Sequence, residues 1–247
     1  MSSKNDFTTQ ERWDRSYEQF DLQVAPPDDP IRRWVERYLP RGSGSCLEFG
    51  CFPGRYLAAI GEMGYEVNGI DLTPRLEKDL PNWMRAQGYR TGEFFRADVF
   101  THPFAKQYDV VCSFGLIEHF VRWPELVERH ARLVRAGGWL VLSTPNFRGT
   151  FQRWMHQWLD AANLAEHNLD AMQPQRWAEL VQPLGFTPVM CGHIGPFDFW
   201  TGPQERPSFQ RFTLKVIRRL KPLGRVLPDN VGCYAPYCGL VARKQAG

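Results

Sequence analysis

The sequence predicts an α/β fold built on an open, doubly wound parallel sheet with helices on both faces. Three observations carry this expectation. Strand-like and helix-like patterns alternate from residue 30 to about residue 190, as in a parallel sheet joined by helical crossovers. The stretch "CLEFGCFPGR", Cys46 to Arg55, runs a β-rich segment into a glycine turn and then into a helical period. At 247 residues, with 43% apolar and 23% charged side chains, the chain has the length of one large α/β domain and is short for two ordinary ones.

Each element has a local reason. "PIRRWVERYL" sets Ile31, Trp34, Val35 and Tyr38 or Leu39 at helical spacing, and "PRGSGS" breaks the pattern. "SCLEFGC" is the first strand and "RYLAAIGEMG" its helix. "EVNGIDL" is the second strand, ending at Asp71. "PRLEKDLPNWMRAQG" is helical with a disruption expected at Pro81, and "GEFFRADVF" is the third strand. "YDVVCSFG" is the fourth strand. Its helix, "PELVERHARLVRAGG", takes Pro124 in the first turn and Gly137 at the exit. "WLVLSTP", "FTPVMCGHIG" and "YCGLVARK" supply the fifth, sixth and last strands, with a helix around "PQRWAELVQPLG" between the first two of these.

Residues 147–173 and 196–233 do not fit the repeat. Both are rich in aromatic side chains and fall at the sheet ends, where long insertions are commonly functional. They are read as acceptor-side inserts of one domain spanning 1–247, with residues 1–40 as an N-terminal helical cover.

The glycine turn carries the chemistry. Gly50 and Gly54 lack a Cβ and allow close approach, while the helix from Arg55 presents free N–H groups to whatever sits on the turn. Glu48 adds a fixed negative charge, favourable beside an ammonium and unfavourable beside a diphosphate. Asp71 ends the second strand, where a carboxylate can accept hydrogen bonds from ribose hydroxyls. Asp98, in "RADVF", can meet an adenine amino group. Glu48, Gly50, Gly54, Asp71 and Asp98 thus read amine, carboxylate, ribose and base in order along a ligand. A dinucleotide oxidoreductase is the main rival, but it prefers Gly-x-Gly-x-x-Gly and "GCFPGR" has no second glycine at that place.

With these residues in place, the chain resembles class I S-adenosylmethionine-dependent methyltransferases over about residues 43–195. The resemblance is carried by "LEFGCFPGR", "GIDLTP", "RADVF", "YDVVCSFGLIEHF" and "LVRAGGWLVLSTPN". It implies a Rossmann-like, seven-stranded doubly wound sheet with the last strand antiparallel and helical, aromatic lid inserts. It implies S-adenosyl-L-methionine as cofactor and extends the binding set to Cys51, Phe52, Leu72, Val99 and Phe114. Phe52 replaces the usual middle glycine of the motif, so its ring must point away from the ligand or pack against it. Trp13 and Tyr17 resemble an N-terminal aromatic segment that folds over the cofactor in this family; packing on the sheet edge is the alternative.

After the fourth strand, Glu118 and His119 resemble the Glu-His pair of many small-molecule methyltransferases, including ubiquinone-pathway O-methyltransferases. His119 is read as a base or an orienting group, or as a histidine bonded inside the helix start, and His167 is the second catalytic candidate. His102, His130, His156 and His193 are less well placed. No metal is expected, because Glu118, His119 and His167 lack a fourth ligand at diagnostic spacing.

The acceptor is read as a small molecule or sugar-containing compound methylated at oxygen, with a small amine as the alternative. A non-catalytic adenosylmethionine-binding protein is the competitor from another class. Phe151, Trp154, Met155 and Trp158 fall on one helical face and are expected to line an acceptor pocket, joined by Phe197, Phe199 and Trp200. "RFTLKVIRRLKPLGR" is a basic amphipathic helix, expected to pack Phe212, Leu214, Ile217 and Leu220 on the domain and to solvate its charges, with contact to an anionic membrane or a phosphorylated acceptor as the alternative. A net charge of +3 and the lack of interleaved basic and aromatic residues argue against nucleic acid. The six cysteines are expected to be reduced thiols. No apolar run approaches the roughly 18 residues of a membrane span, so no stable membrane insertion is expected, the location is read as cytoplasmic, and a homodimer stays open.

Overall fold

A computed structural model describes residues 7–17, 20–202, 205–220, 224 and 226–246. Strands β1 (Ser45–Phe49), β2 (Glu66–Asp71), β3 (Thr91–Arg96), β4 (Tyr108–Phe114), β5 (Val134–Pro145), β6 (Phe186–Ile194) and β7 (Tyr237–Lys244) form one sheet of order β3-β2-β1-β4-β5-β7-β6. β1 to β5 pair in parallel, and β7 runs antiparallel between β5 and β6. The antiparallel last strand is as expected.

Side chains of the central strands alternate between two buried layers, as period-two strands covered on both faces require. On one face Leu47, Phe49, Val111, Leu140, Leu142 and Leu240 pack with Trp123, Leu126, Val127 and Trp177. Those last four come from α5 (Trp123–Leu133) and α8 (Pro174–Val181). On the other face Cys46, Val110, Cys112, Val141 and Val241 pack against α2 (Pro30–Tyr38), α3 (Arg55–Glu62) and α4 (Asp79–Ala86). α2 is capped by Asp29, whose Oδ1 accepts the N–H groups of Ile31 and Arg32. α1 (Gln10–Tyr17) precedes this core, while α6 (Thr150–Leu159) and α7 (Ala161–Ala165) lie in the first insert and α9 (Ser208–Leu220) in the second.

Three local expectations need correction. The third strand ends at Arg96, not Phe100, because the Asp98 carboxylate accepts the Phe100 N–H and its carbonyl accepts those of Thr101 and His102. That turn removes the segment from the ladder. The helix after β4 stops at Leu133: Val134 is fully buried and pairs with Tyr108, so sheet pairing overrides the helical pattern that extends to Gly137. Pro81 does not interrupt its helix. It sits in the first turn of α4, where no intrahelical N–H is needed, and the break falls before Asp79.

Candidate active site

β1 leads directly into the glycine turn at the carboxyl end of the sheet. Gly50 has φ 64° and Gly54 φ 85°, both in the left-handed region. A Cβ on Gly50 would meet Leu116 at 2.7 Å, and one on Gly54 would meet Leu80 at 2.4 Å. The backbone angle is what calls for glycine here, since the leucine methyls that a Cβ would meet are side-chain ends that can shift. The turn is held from β2: the Asp71 carboxylate accepts the Phe52 N–H at 3.1 Å and the Thr73 N–H at 3.0 Å.

Above the turn lies a cavity of about 1380 Å³, and every residue proposed from the sequence as cofactor-binding or catalytic lines it. From the N-terminal segment come Trp13 and Tyr17. The turn and the strand ends supply Glu48, Gly50, Cys51, Phe52, Gly54, Asp71, Leu72, Asp98, Val99 and Phe114, and the remaining wall has His119 and His167. Tyr17 packs on Phe52 at 4.8 Å between ring centroids, and Trp13 meets His119 edge-on at 4.8 Å. Phe52 is buried, with the Arg75 guanidinium 4.8 Å over its ring. The ring thus packs beside the cavity and ties α1 to the turn.

The electrostatics of the turn favour a cationic ligand. Burial, reinforced by the charge of Asp71 and countered by the Leu57 N–H, holds the Glu48 carboxyl well above its ordinary range. Its Oε2 is buried with no hydrogen-bond partner among the described residues. Asp71 is pushed up to about 6 by burial, against the pull of the N–H groups of Thr73, Phe52 and Leu72. Two buried acids, one with an unsatisfied oxygen, fit the ammonium of an amino-acid ligand and oppose a diphosphate.

A second group of polar side chains borders the same cavity. His167 Nδ1 lies 2.6 Å from the Asn163 carbonyl, which can only accept, so Nδ1 carries the proton and Nε2 keeps its lone pair. His119 Nδ1 is likewise bonded to the Glu166 carbonyl at 3.0 Å and to Thr8 Oγ1 at 2.9 Å. Burial pushes His119 down to about 3, helped by the neighbouring His167, and burial also lowers His167. Both rings are neutral, 4.6 Å apart between centroids. Glu118 is buried, neither oxygen has a hydrogen-bond partner among the described residues, and desolvation raises its carboxyl to about 8. The donor atoms of Glu118, His119 and His167 fall within 4.8 Å of one another.

Three lining residues are not identified as site residues by the sequence reading: Thr8, Asn163 and Glu166. Asn163 and His167 stand four apart, a helical spacing that was a usable signal; Thr8 offered none, since it reaches His119 only through the fold. The aromatic stripe of α6 is a correction. Phe151, Trp154, Met155 and Trp158 do not line the cavity: Met155 and Phe151 pack with Leu159, Phe199 and Leu214, while Trp154 and Trp158 are exposed. Of the second insert's expected aromatics, Phe197 and Phe199 also stay out and Trp200 lines the cavity.

The strand order, the antiparallel β7 and an acid-lined cavity over the glycine turn define a class I S-adenosylmethionine-dependent methyltransferase. The chain belongs to the methyltransferase domain family, whose model matches residues 25–190. It is 32% identical over 124 residues to ubiquinone biosynthesis O-methyltransferase from Thiobacillus denitrificans, covering 48% of this chain and 52% of that one. The chain thus matches about half the length of these relatives. Among solved structures, the N-methyltransferase NodS of Bradyrhizobium japonicum WM9 with S-adenosylhomocysteine aligns over 98% of this chain and 95% of its own, with TM-score 0.54 and 12% identity. Magnesium protoporphyrin IX methyltransferase of Synechocystis PCC 6803 aligns over 87% and 80%, with TM-score 0.56 and 13% identity. At such identities the two structures speak to the fold alone.

The turn gives the first prediction. Asp71→Ala should weaken S-adenosylmethionine binding by about tenfold or more, because it removes a charged acceptor and frees the Phe52 N–H. Phe52→Gly should still bind, about 2- to 10-fold more weakly, through loss of the Tyr17 contact. Titration calorimetry reads both; NADH binding in place of adenosylmethionine would overturn the assignment, and complete loss in Phe52→Gly would place the ring within the site.

Proposed function

We propose that the protein transfers a methyl group from S-adenosylmethionine to an oxygen of a small-molecule or sugar-containing acceptor. The observation that carries the reading is the pair of neutral histidines whose Nδ1 protons are held by backbone carbonyls, leaving two Nε2 lone pairs beside the acid-lined cofactor cleft. That the relative from Thiobacillus denitrificans is an O-methyltransferase agrees with it.

When bound, the cofactor supplies an electrophilic methyl on a sulfonium. The chain's own residues do the rest. Glu48 is placed to receive the ammonium, Asp71 the ribose and Asp98 the base. Trp13, Tyr17 and Phe52 exclude water from the cleft, which favours a displacement in which charge is dispersed. A hydroxyl acceptor loses its proton to His167 Nε2, and Asn163 holds that ring in the accepting tautomer. His119, with the more strongly lowered basicity, is assigned to orientation. Glu118, neutral at neutral pH, can donate to or accept from the acceptor.

Labelled S-adenosylmethionine incubated with the protein and extract of the source cell should yield a labelled methyl ether identified by mass. A labelled N-methyl product would overturn oxygen as the site, and cofactor binding with no labelled product would favour a non-catalytic role.

A further inference from the structure

We propose that the exposed faces of α6 and α9 form a docking surface for an anionic phospholipid bilayer. The sequence suggested a helix with one apolar face on the domain and a solvated charged face; for α9 the structure divides the apolar residues. Leu214 is buried and Ile217 packs beside it against Met155, Leu159 and Phe199. Phe212 instead stands 68% exposed, with Phe209 at 56%. Lys221 and Arg225 of the same sequence segment lie outside the described residues.

The exposed rings are continuous across two helices. Trp154 and Trp158 on α6 are stacked at 5.8 Å, and Trp158 meets Phe209 of α9 at 5.5 Å. Single exposed apolar residues are ordinary, but a contiguous aromatic patch on neighbouring helices marks an interaction surface. Tryptophan and phenylalanine beside cations suit the headgroup level of a bilayer, where a ring is buried while a guanidinium or ammonium remains hydrated.

Charge selects the occupant. Residues 208–220 contain Arg211, Lys215, Arg218 and Arg219 and no acid. All of these cations are exposed, as is Arg153 on α6. No carboxylate pairs with Lys215, Arg218 or Arg219 among the described residues. A second copy meeting this face through a two-fold axis would set like charges against each other, whereas anionic headgroups neutralise them. No helix of the described residues is long and apolar enough to cross a membrane, so the contact is adsorption. The two inserts that carry the patch also line the cavity, through Asn163, Glu166, His167, Trp200 and Gly202. Docking would therefore hold the acceptor-side inserts at the lipid surface.

The test uses the full chain and vesicles of phosphatidylcholine, with or without phosphatidylglycerol, read by co-sedimentation and tryptophan emission. Binding should be about tenfold or more tighter to the vesicles containing phosphatidylglycerol, and should weaken as salt rises. A variant carrying Phe209→Ser and Phe212→Ser should lose about tenfold or more of that partitioning. Its circular dichroism and thermal midpoint, unchanged, would show that it remains folded. Absence of binding to anionic vesicles overturns the proposal, as does equal binding by the folded double variant. A concentration-dependent dimer that this variant abolishes, without vesicle binding, would assign the face to a second copy instead.

Discussion

Asp160→Ala should lower the stability of the protein by about 3–5 kcal/mol, the usual cost of breaking a buried ion pair from one side. Asp160 is fully buried where the two inserts meet. Its Oδ1 accepts from Arg206 Nη2 at 2.7 Å. Its Oδ2 accepts from Asn163 Nδ2 at 2.8 Å, from the Gly202 N–H at 3.1 Å and from His156 Nδ1 at 3.1 Å. Truncation takes the carboxylate from the guanidinium and leaves three further donors to find new acceptors in a dry interior. For a chain of this length the loss should appear as a fall in thermal midpoint of about 10 °C. Asp160→Asn, which keeps an acceptor oxygen but not the charge, should lose less. A fall below about 1 kcal/mol in Asp160→Ala, typical of surface pairs, would mean that the inserts are not locked through this residue.

The second large effect concerns the reaction. His167→Ala should reduce kcat by about 10²- to 10⁴-fold, the range for removing a general base, with the KM for adenosylmethionine changed far less. The pH dependence separates base from scaffold. Burial lowers His167 from its ordinary value, so its accepting form is already complete at neutral pH; Glu118 keeps its proton up to about pH 8. Wild-type kcat should therefore be flat around neutral pH and change as Glu118 ionises around pH 8. In His167→Ala the hydroxyl proton must leave to hydroxide, and the residual rate should climb with pH across that window. His119→Ala should cost less in kcat and more in order of the N-terminal segment, because its ring meets Trp13 and its Nδ1 meets Thr8. Activity intact in both single variants would remove histidine base catalysis from the account.

The two predictions draw on different kinds of legibility. His167 was recognisable as a candidate from its place after the fifth strand, and Glu48, Gly50, Gly54, Asp71 and Asp98 from their order along the strand ends, while Cys51, Phe52, Leu72, Val99 and Phe114 followed only from the family resemblance. Strand ends are local features: an acid at the carboxyl end of a parallel strand faces the crevice by topology alone. Asp160 was not recognisable. Its partners Arg206 and Gly202 lie more than forty residues away in another insert, and no periodicity announces such a contact. The α6 stripe failed for a related reason. Helical spacing put Phe151, Trp154, Met155 and Trp158 on one face, but which part of that face meets α9, the cavity or solvent depends on where a second helix docks.

By itself the sequence determined the sheet, its crossovers, the glycine turn and the series of acids above it, because hydrophobic period, turn chemistry and strand-end position are properties of short stretches of chain. The tertiary structure alone decided that Glu118 is a neutral acid beside two neutral imidazoles, that the inserts are latched through one buried carboxylate, and that Phe209 and Phe212 face outward with the tryptophans of α6. Each of these follows from burial and from contacts between residues distant in sequence. Desolvation and partner geometry exist only once the chain has closed on itself.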